Sequence, residues 1–380
     1  MMIQSFLRVR VFPVLLAVWM SPPPAIAADF QSVELYQSFD EMVEWAYDFA
    51  GANSDIVRLV QFGSSHEGRP LLAVRLGVEP DVNAPEKPEF LFTAGLHARE
   101  VISSEAAYLL AERLVEGFRT GSAAFEDIFA EREVWIVPNL NPDGRVRVEN
   151  GDSRHRKNAH QYPGQSASNY TRGVDLNRNF PHRWRDAQNG VLLETYRGPA
   201  PLSEPESYAL WSLLNDPEYF SDLWAALDYH SGMQAVLTPW ISAGDRLENP
   251  LPPEDAAKFA VLGSTLADMT GYQLNGLGYD AFGSLTDSLY EEFGVFAFCA
   301  ELYVGNYDDH FSLFNPTTAL ELEMVVGKAV DTALYLLSDE AFPIVPEPAA
   351  FGLVFPAVWV LVCRRDRRGR SGRRLGRNRW

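Results

Sequence analysis

Cysteine is scarce in this chain of 380 residues. There are two, Cys299 and Cys363. Cys363 lies in a terminal apolar run, so the body holds one thiol and no internal disulfide framework is possible. The fold must hold itself by packing, and 47% apolar residues supply a large core. That composition, with 22% charged residues, excludes a disordered or fibrous chain. Positive charge is also scarce where it would matter. The chain carries 32 basic and 51 acidic residues, a formal net charge of −19. Nine of its arginines crowd between Arg364 and Arg379, and Arg8 and Arg10 lie near the start. Between Asp29 and Val345 this leaves 21 basic against 49 acidic residues, a balance of −28. Such a body repels nucleic acid and anionic membranes, which excludes a nucleic-acid partner. Internal repeats and low-complexity segments are absent.

The two ends have the character of addresses. Residues 1–27 pair a charged start with an apolar stretch, Val11 to Met20, and an Ala25-Ile26-Ala27 cleavage pattern, which reads as a signal peptide for export. At the other end, residues 341–380 contain Val345-Pro346-Glu347-Pro348, an uncharged segment at 349–363 and the Arg-rich tail 364–380. Fifteen helical residues span about 22 Å, short of the roughly 30 Å bilayer core. This order resembles the bacterial PEP-CTERM sorting signal. The resemblance implies an exosortase-type sorting enzyme as partner and a Gram-negative-type envelope as the destination. A plain tail anchor is the alternative.

Between the ends, residues 28–340 are expected to form one domain. Val57–Phe62, Leu71–Leu76, Glu89–Ala94, Glu133–Val137, Trp224–Tyr229 and Val295–Ala300 are short, apolar, β-rich runs. Asp40–Ala50, Ser103–Phe118, Glu204–Leu214, Asp255–Met269 and Thr317–Leu337 fit helical periodicity. The alternation predicts an α/β domain, an α/β/α sandwich around a mixed, mostly parallel sheet. Residues 140–200 and 239–255, rich in Gly, Pro and Asn, read as functional loops.

Two of the seven histidines stand where strands should end. His97 opens His97-Ala98-Arg99-Glu100 after the run at 89–94, and His230 closes the run at 224–229. A histidine and a carboxylate three residues apart, completed by a distant histidine, give three ligands and an open position for water. That is the pattern of a catalytic zinc site, although HxxE alone is a weak signal. His66, His155, His160, His182 and His310 lack this context and read as surface or loop residues.

Further motifs stand in order: Glu67-Gly68-Arg69-Pro70, His155-Arg156-Lys157-Asn158, Gly173-Val174-Asp175-Leu176-Asn177-Arg178-Asn179-Phe180, Asp228-Tyr229-His230-Ser231, Tyr279 and Phe298-Cys299-Ala300-Glu301-Leu302. From about Tyr36 to Leu337 the chain resembles the zinc carboxypeptidases, the family typified by pancreatic carboxypeptidase A. The resemblance implies one Zn2+ per chain on His97, Glu100 and His230, with Asp175 orienting His97. It implies Glu301 as general base and Arg156 as the donor to the oxyanion. It places Asn177 and Arg178 on the substrate's terminal carboxylate, Arg99 in the cleft, and Tyr279 as a mobile cover. The implied reaction is hydrolysis of the C-terminal peptide bond by zinc-activated water, with peptide or protein C-termini as substrates and a monomeric enzyme.

The chain also departs from the family. Gly232 replaces a tyrosine two places after the third ligand, and Ser288 replaces a tryptophan. Thr286, at the base of the specificity pocket, is neither acidic nor apolar and leaves residue preference open. The signal leads directly into the domain, so activation by removal of an inhibitory prosegment is not expected. A cell-wall peptidase of the same family, cutting peptidoglycan stem peptides, shares every motif. An inactive peptide-binding module would lack a ligand or the base.

Overall fold

The computed structural model describes residues 35–81, 84–166, 171–275 and 280–344. The expected signal peptide, Tyr279 and the C-terminal sorting segment lie outside the described residues, apart from 341–344. Among the described residues no helix is long and apolar enough to cross a membrane.

One eight-stranded sheet organises the chain. Its strands are β1 (Val57–Ser64), β2 (Pro70–Leu76), β3 (Glu89–Thr93), β4 (Glu133–Val137), β5 (Leu223–His230), β6 (Ala235–Leu237), β7 (Gln273–Leu274) and β8 (Phe296–Glu301). The order across the sheet is β1-β2-β4-β3-β5-β8-β6-β7. The central pairings β4/β3, β3/β5 and β5/β8 are parallel. Antiparallel β1/β2, β2/β4 and β6/β8 flank them, and β6/β7 is again parallel. The near-continuous burial of β3, β4 and β5 is what a central strand covered on both faces requires.

Helices cover both faces. On one side lie α1 (Phe39–Ala52), α2 (Ile102–Arg119), α7 (Pro253–Thr270) and α10 (Ala319–Leu336), packed over Phe90, Phe92, Leu227 and Phe298. On the other, α5 (Pro205–Leu214) and α8 (Leu285–Phe293) cover Leu91, Trp135, Ala226 and Ala297. Successive residues on a strand alternate between these two cores, as the two-residue period demands. The expected α/β/α sandwich with a mixed, mostly parallel sheet is therefore present. The five helices and six strands read from the sequence all form, within a few residues at their ends.

Short elements escaped the sequence reading: α3 (Ala123–Glu131), α4 (Pro142–Glu149), α6 (Ala243–Glu248), α8, α9 (His310–Phe314), β6 and β7. The segment of α4, Pro-Asp-Gly-Arg-Val-Arg-Val-Glu, has no apolar stripe. Asn141 caps it by accepting from Gly144 N at 3.0 Å, proline occupies its first turn, and it buries Asp143 and Arg145 instead.

Candidate active site

Parallel neighbours bring their carboxyl ends to the same edge, where sites of open α/β sheets gather. Thr93 pairs in register with Asp228, and His230 with Glu301. His97 and Glu100 follow β3 in the tight segment that leads into α2. That segment is pinned from several sides. Asn141 Nδ2 donates to Leu96 O at 3.1 Å, Ala98 N to Arg156 O at 3.0 Å, and Asn315 Nδ2 to Arg99 O at 2.9 Å. Ser103 Oγ donates to Glu100 O at 2.6 Å.

His97, Glu100 and His230 converge, all three buried, with one ligand atom of each within 4.8 Å of the others. His97 Nδ1 lies 2.9 Å from Glu100 Oε1 and 2.9 Å from His230 Nδ1. His230 Nδ1 lies 2.9 Å from Glu100 Oε2. The far nitrogen of each ring faces another carboxylate: His97 Nε2 is 3.1 Å from Asp175 Oδ1, and His230 Nε2 is 2.8 Å from Asp228 Oδ2. Carboxylates there hold a ring proton on Nε2, which turns both Nδ1 atoms inward, where a cation would stand in place of a second proton. Two imidazole nitrogens and a carboxylate around one point form a donor set that suits zinc.

The charges follow from this crowding. Burial and the nearby Arg156 lower the pKa of His97, against the pull of Glu100 and Asp175. Burial opposes charge on His230, but Asp228 and Glu100 outweigh it and hold its pKa well above the usual imidazole range. Burial would raise Glu100, yet the two histidines hold it well below the usual range. The centre is thus arranged for a cation.

Asp175 ties a second segment, the strap of loop at residues 155–180, to this centre. Its Oδ1 also accepts from Asn177 N at 3.0 Å, and its Oδ2 accepts from Arg156 Nε at 2.9 Å. Arg156 Nη1 stands 3.6 Å from Glu100 Oε1. The strap holds its path because residue 173 is glycine. Gly173 has φ +96°, and a Cβ there would fall 1.9 Å from Asn158 O. Arg178 is buried, with Nη1 donating to Asn177 O at 2.6 Å and no carboxylate within ion-pair distance among the described residues. Asn177 is already engaged: Oδ1 accepts from Leu285 N at 2.8 Å, and Nδ2 lies 3.1 Å from His230 Nε2. Arg99 stacks over Phe314 at 4.3 Å and faces Glu194 at 3.3 Å.

Glu301 ends β8. Its Oε2 is sealed from solvent and has no hydrogen-bond partner. Burial, then the charge of Glu100, pushes its pKa up to about 7.

Two of the histidines read as surface or loop residues lie in loops but are buried. His155 is fully buried with Nε2 3.2 Å from Asn158 O, and His182 is buried 2.6 Å from Asp245 Oδ2 and stacked on Trp240. Tertiary partners supplied from 63 residues away in sequence, as for His182 and Asp245, leave no local signal. Asp228 was not assigned a role from sequence either. The alternation of a strand, which puts residues two apart on one face, is the signal that ties it to His230.

The family model described as zinc carboxypeptidase matches residues 42–324. The chain belongs to the zinc carboxypeptidase family. It is 31% identical over 283 residues to a metallocarboxypeptidase A-like protein of Trichophyton verrucosum, covering 72% of this chain and 63% of that protein. It is also 31% identical over 211 residues to an inactive metallocarboxypeptidase of Sclerotinia sclerotiorum, covering 54% of this chain and 35% of that one. The chain spans 56–63% of the length of several curated carboxypeptidases it matches. Among solved structures, carboxypeptidase A from Helicoverpa armigera shares the fold with a TM-score of 0.65 at 23% identity, over 80% of this chain and 73% of that one. A fold of the zinc carboxypeptidases is therefore shared well beyond the reach of the short motifs.

Proposed function

We propose that this protein is an active, exported zinc carboxypeptidase that removes C-terminal residues from peptides. The observation that carries the reading is the inward convergence of His97, Glu100 and His230 beside the half-buried Glu301, whose Oε2 is sealed from solvent without a hydrogen-bond partner. In this reading the three residues hold one zinc. Bound zinc supplies a Lewis-acid centre that makes water acidic and polarises a carbonyl.

The chain's own residues divide the remaining work. Glu301, at the end of the strand next to that of His230, takes the proton of the attacking water and returns it to the leaving amine. Arg156, held by Asp175, donates to the oxygen that gains charge, a contribution of about 3–4 kcal/mol per donor in other enzymes. Arg178 supplies a planar, two-pronged match to a terminal carboxylate. Asn177 contributes by its placement beside Arg178, since its amide oxygen serves α8. Arg99 lines the cleft, and Tyr279 is the proposed cover. A carboxylate clamp beside the metal measures one residue from the chain end, which makes the enzyme an exopeptidase. The export reading rests on the N-terminal signal pattern, and the sorting reading on the Pro-Glu-Pro, apolar, Arg-rich order.

The test is metal content joined to turnover. The purified protein should carry about one zinc per chain and hydrolyse N-blocked L-dipeptides. A chelator should abolish activity and added zinc restore it. His230→Ala with full zinc and normal turnover would overturn the ligand set. Turnover of stem peptides alone would favour the cell-wall alternative, and a zinc-loaded protein inert on both substrates would place it with the inactive relatives.

A further inference from the structure

The two histidine arms of the site differ. Asp175, behind His97, shares its charge with Arg156 at 2.9 Å. Asp228, behind His230, has no such cation among the described residues. Its Oδ2 faces His230 Nε2 at 2.8 Å, and its Oδ1 accepts from Thr93 Oγ1 at 2.7 Å. Asp228, His230 and Thr93 are all buried. Thr93 and Asp228 are register partners on β3 and β5, and His230 lies two residues further along β5, so the arm is built wholly on strands, whereas Asp175 lies in a loop. Asn177 Nδ2 also approaches His230 Nε2, at 3.1 Å. An amide NH2 cannot accept a proton, so the carboxylate alone can take the Nε2 hydrogen.

We propose that Asp228 is the positioning residue of the third metal ligand: with Thr93 locking its carboxylate, it fixes the tautomer and plane of His230 so that Nδ1 faces His97 and Glu100. Its uncompensated charge strengthens His230 as a donor, so this arm sets how tightly the site retains metal. The assignment rests on the zinc reading. Asp228 acts through His230, with its own hydrogen bonds going to His230 and Thr93.

The experiment compares zinc retention in the full-length protein and in Asp228→Ala, Asp228→Asn, Thr93→Val and Cys299→Ala. Cys299 pairs in register with Asp228 from the adjacent strand, so its truncation disturbs the same layer and spares His230. Competition with a chromophoric chelator gives the zinc dissociation constant. Asp228→Ala should weaken zinc by about 10- to 100-fold. Asp228→Asn keeps an acceptor oxygen without the charge and should fall between Ala and wild type. Thr93→Val should lose only a few-fold, and Cys299→Ala should match wild type. Under saturating zinc, KM should stay unchanged in the Asp228 and Thr93 variants. Cobalt substituted for zinc should show altered visible absorption in Asp228→Ala and a wild-type spectrum in Cys299→Ala. An Asp228→Asn protein that holds zinc as tightly as wild type would overturn the assignment even if Asp228→Ala fails to fold. Equal weakening by Cys299→Ala would overturn it too, by tracing the effect to packing. Failure of the unaltered protein to bind zinc would remove the metal reading and this assignment with it.

Discussion

The central strands bury charge at both ends, and the two ends treat it differently. At the amino ends, Glu89 accepts from Ser221 N at 2.8 Å, Ser221 Oγ at 2.8 Å and Asp222 N at 2.6 Å. Glu133 receives Arg75 Nη2 at 2.6 and 2.7 Å, and Arg132 reaches Asp339 at 2.5 Å. Each carboxylate there meets matched donors. At the carboxyl ends, two imidazole nitrogens face one another and Glu301 Oε2 meets nothing. A buried polar group without a partner costs about 1–3 kcal/mol, more when charged. A fold tolerates that cost where the open valence has a use. Burial of charge alone is thus a poor guide to function.

The sharpest way to break this contrast is Glu301→Gln. The amide keeps the shape and removes the proton acceptor. Turnover should fall by about 10²- to 10⁴-fold with zinc content and melting temperature retained. Steady-state kinetics beside metal analysis decides it, and near-normal turnover would mean that another base operates.

The same kind of change at the amino ends should do the reverse. Arg75→Met strands the buried Glu133 carboxylate and should destabilise the fold by about 3–5 kcal/mol, with kcat unaffected in the protein that stays folded. Replacing both partners with apolar residues of similar volume should recover much of that loss. Chemical denaturation measures both variants. A large loss of kcat with little change in stability would erase the distinction between the two ends.

Acidity sharpens the contrast further. Glu301 must be ionised to take a proton, and burial and Glu100 push its pKa up to about 7. A cation bound beside it favours the ionised form and draws that value down. The logarithm of kcat/KM should therefore drop with falling pH, with its midpoint between the ordinary 4.5 and about 7. A flat profile across that window would remove Glu301 as the base.

Substrate preference should show the smallest effect. Thr286 is buried with an unpartnered hydroxyl, and the nearby apolar cluster joins Leu237, Ile241, Ala281 and Cys299. Asp287 already accepts from Ile241 N at 3.1 Å, and Asp280 from Ser242 Oγ. Neutral, medium-sized C-terminal residues should be preferred, with discrimination of about 1–3 kcal/mol among them. Blocked dipeptides ending in Leu, Phe, Ala, Lys and Glu test this through kcat/KM. A hundredfold advantage for Lys would show an acid reaching the pocket.

Strand and helix periods carried the layered fold, because long amphipathic α2, α7 and α10 and the apolar strands repeat their signal many times. The residues proposed for the site were legible through motif order, since His97, Glu100, His230 and Glu301 occupy short segments at strand ends. The supports of those residues were not. Asn315 holds the turn at Arg99 from 216 residues away, and His182 finds Asp245 across 63. A pairing between distant segments exists only once the sheet has formed, so no local pattern announces it. Asp228 lies between these cases, visible as a residue two places from a ligand but given meaning only by Thr93 on the next strand.

The way the described body closes has a practical consequence for attachment. Phe342 packs against Phe90, Trp224 and Phe296, at the starts of β3, β5 and β8. The proposed chemistry sits at the far ends of those same strands, about 20 Å away for a six-residue strand. A bead, tag or bilayer reached through residue 344 therefore meets the underside of the sheet, and the mouth of the cleft points away from it. Immobilising the protein by its C-terminal side should leave even bulky peptides free to approach, whereas crosslinking through the loops at the carboxyl ends should block them.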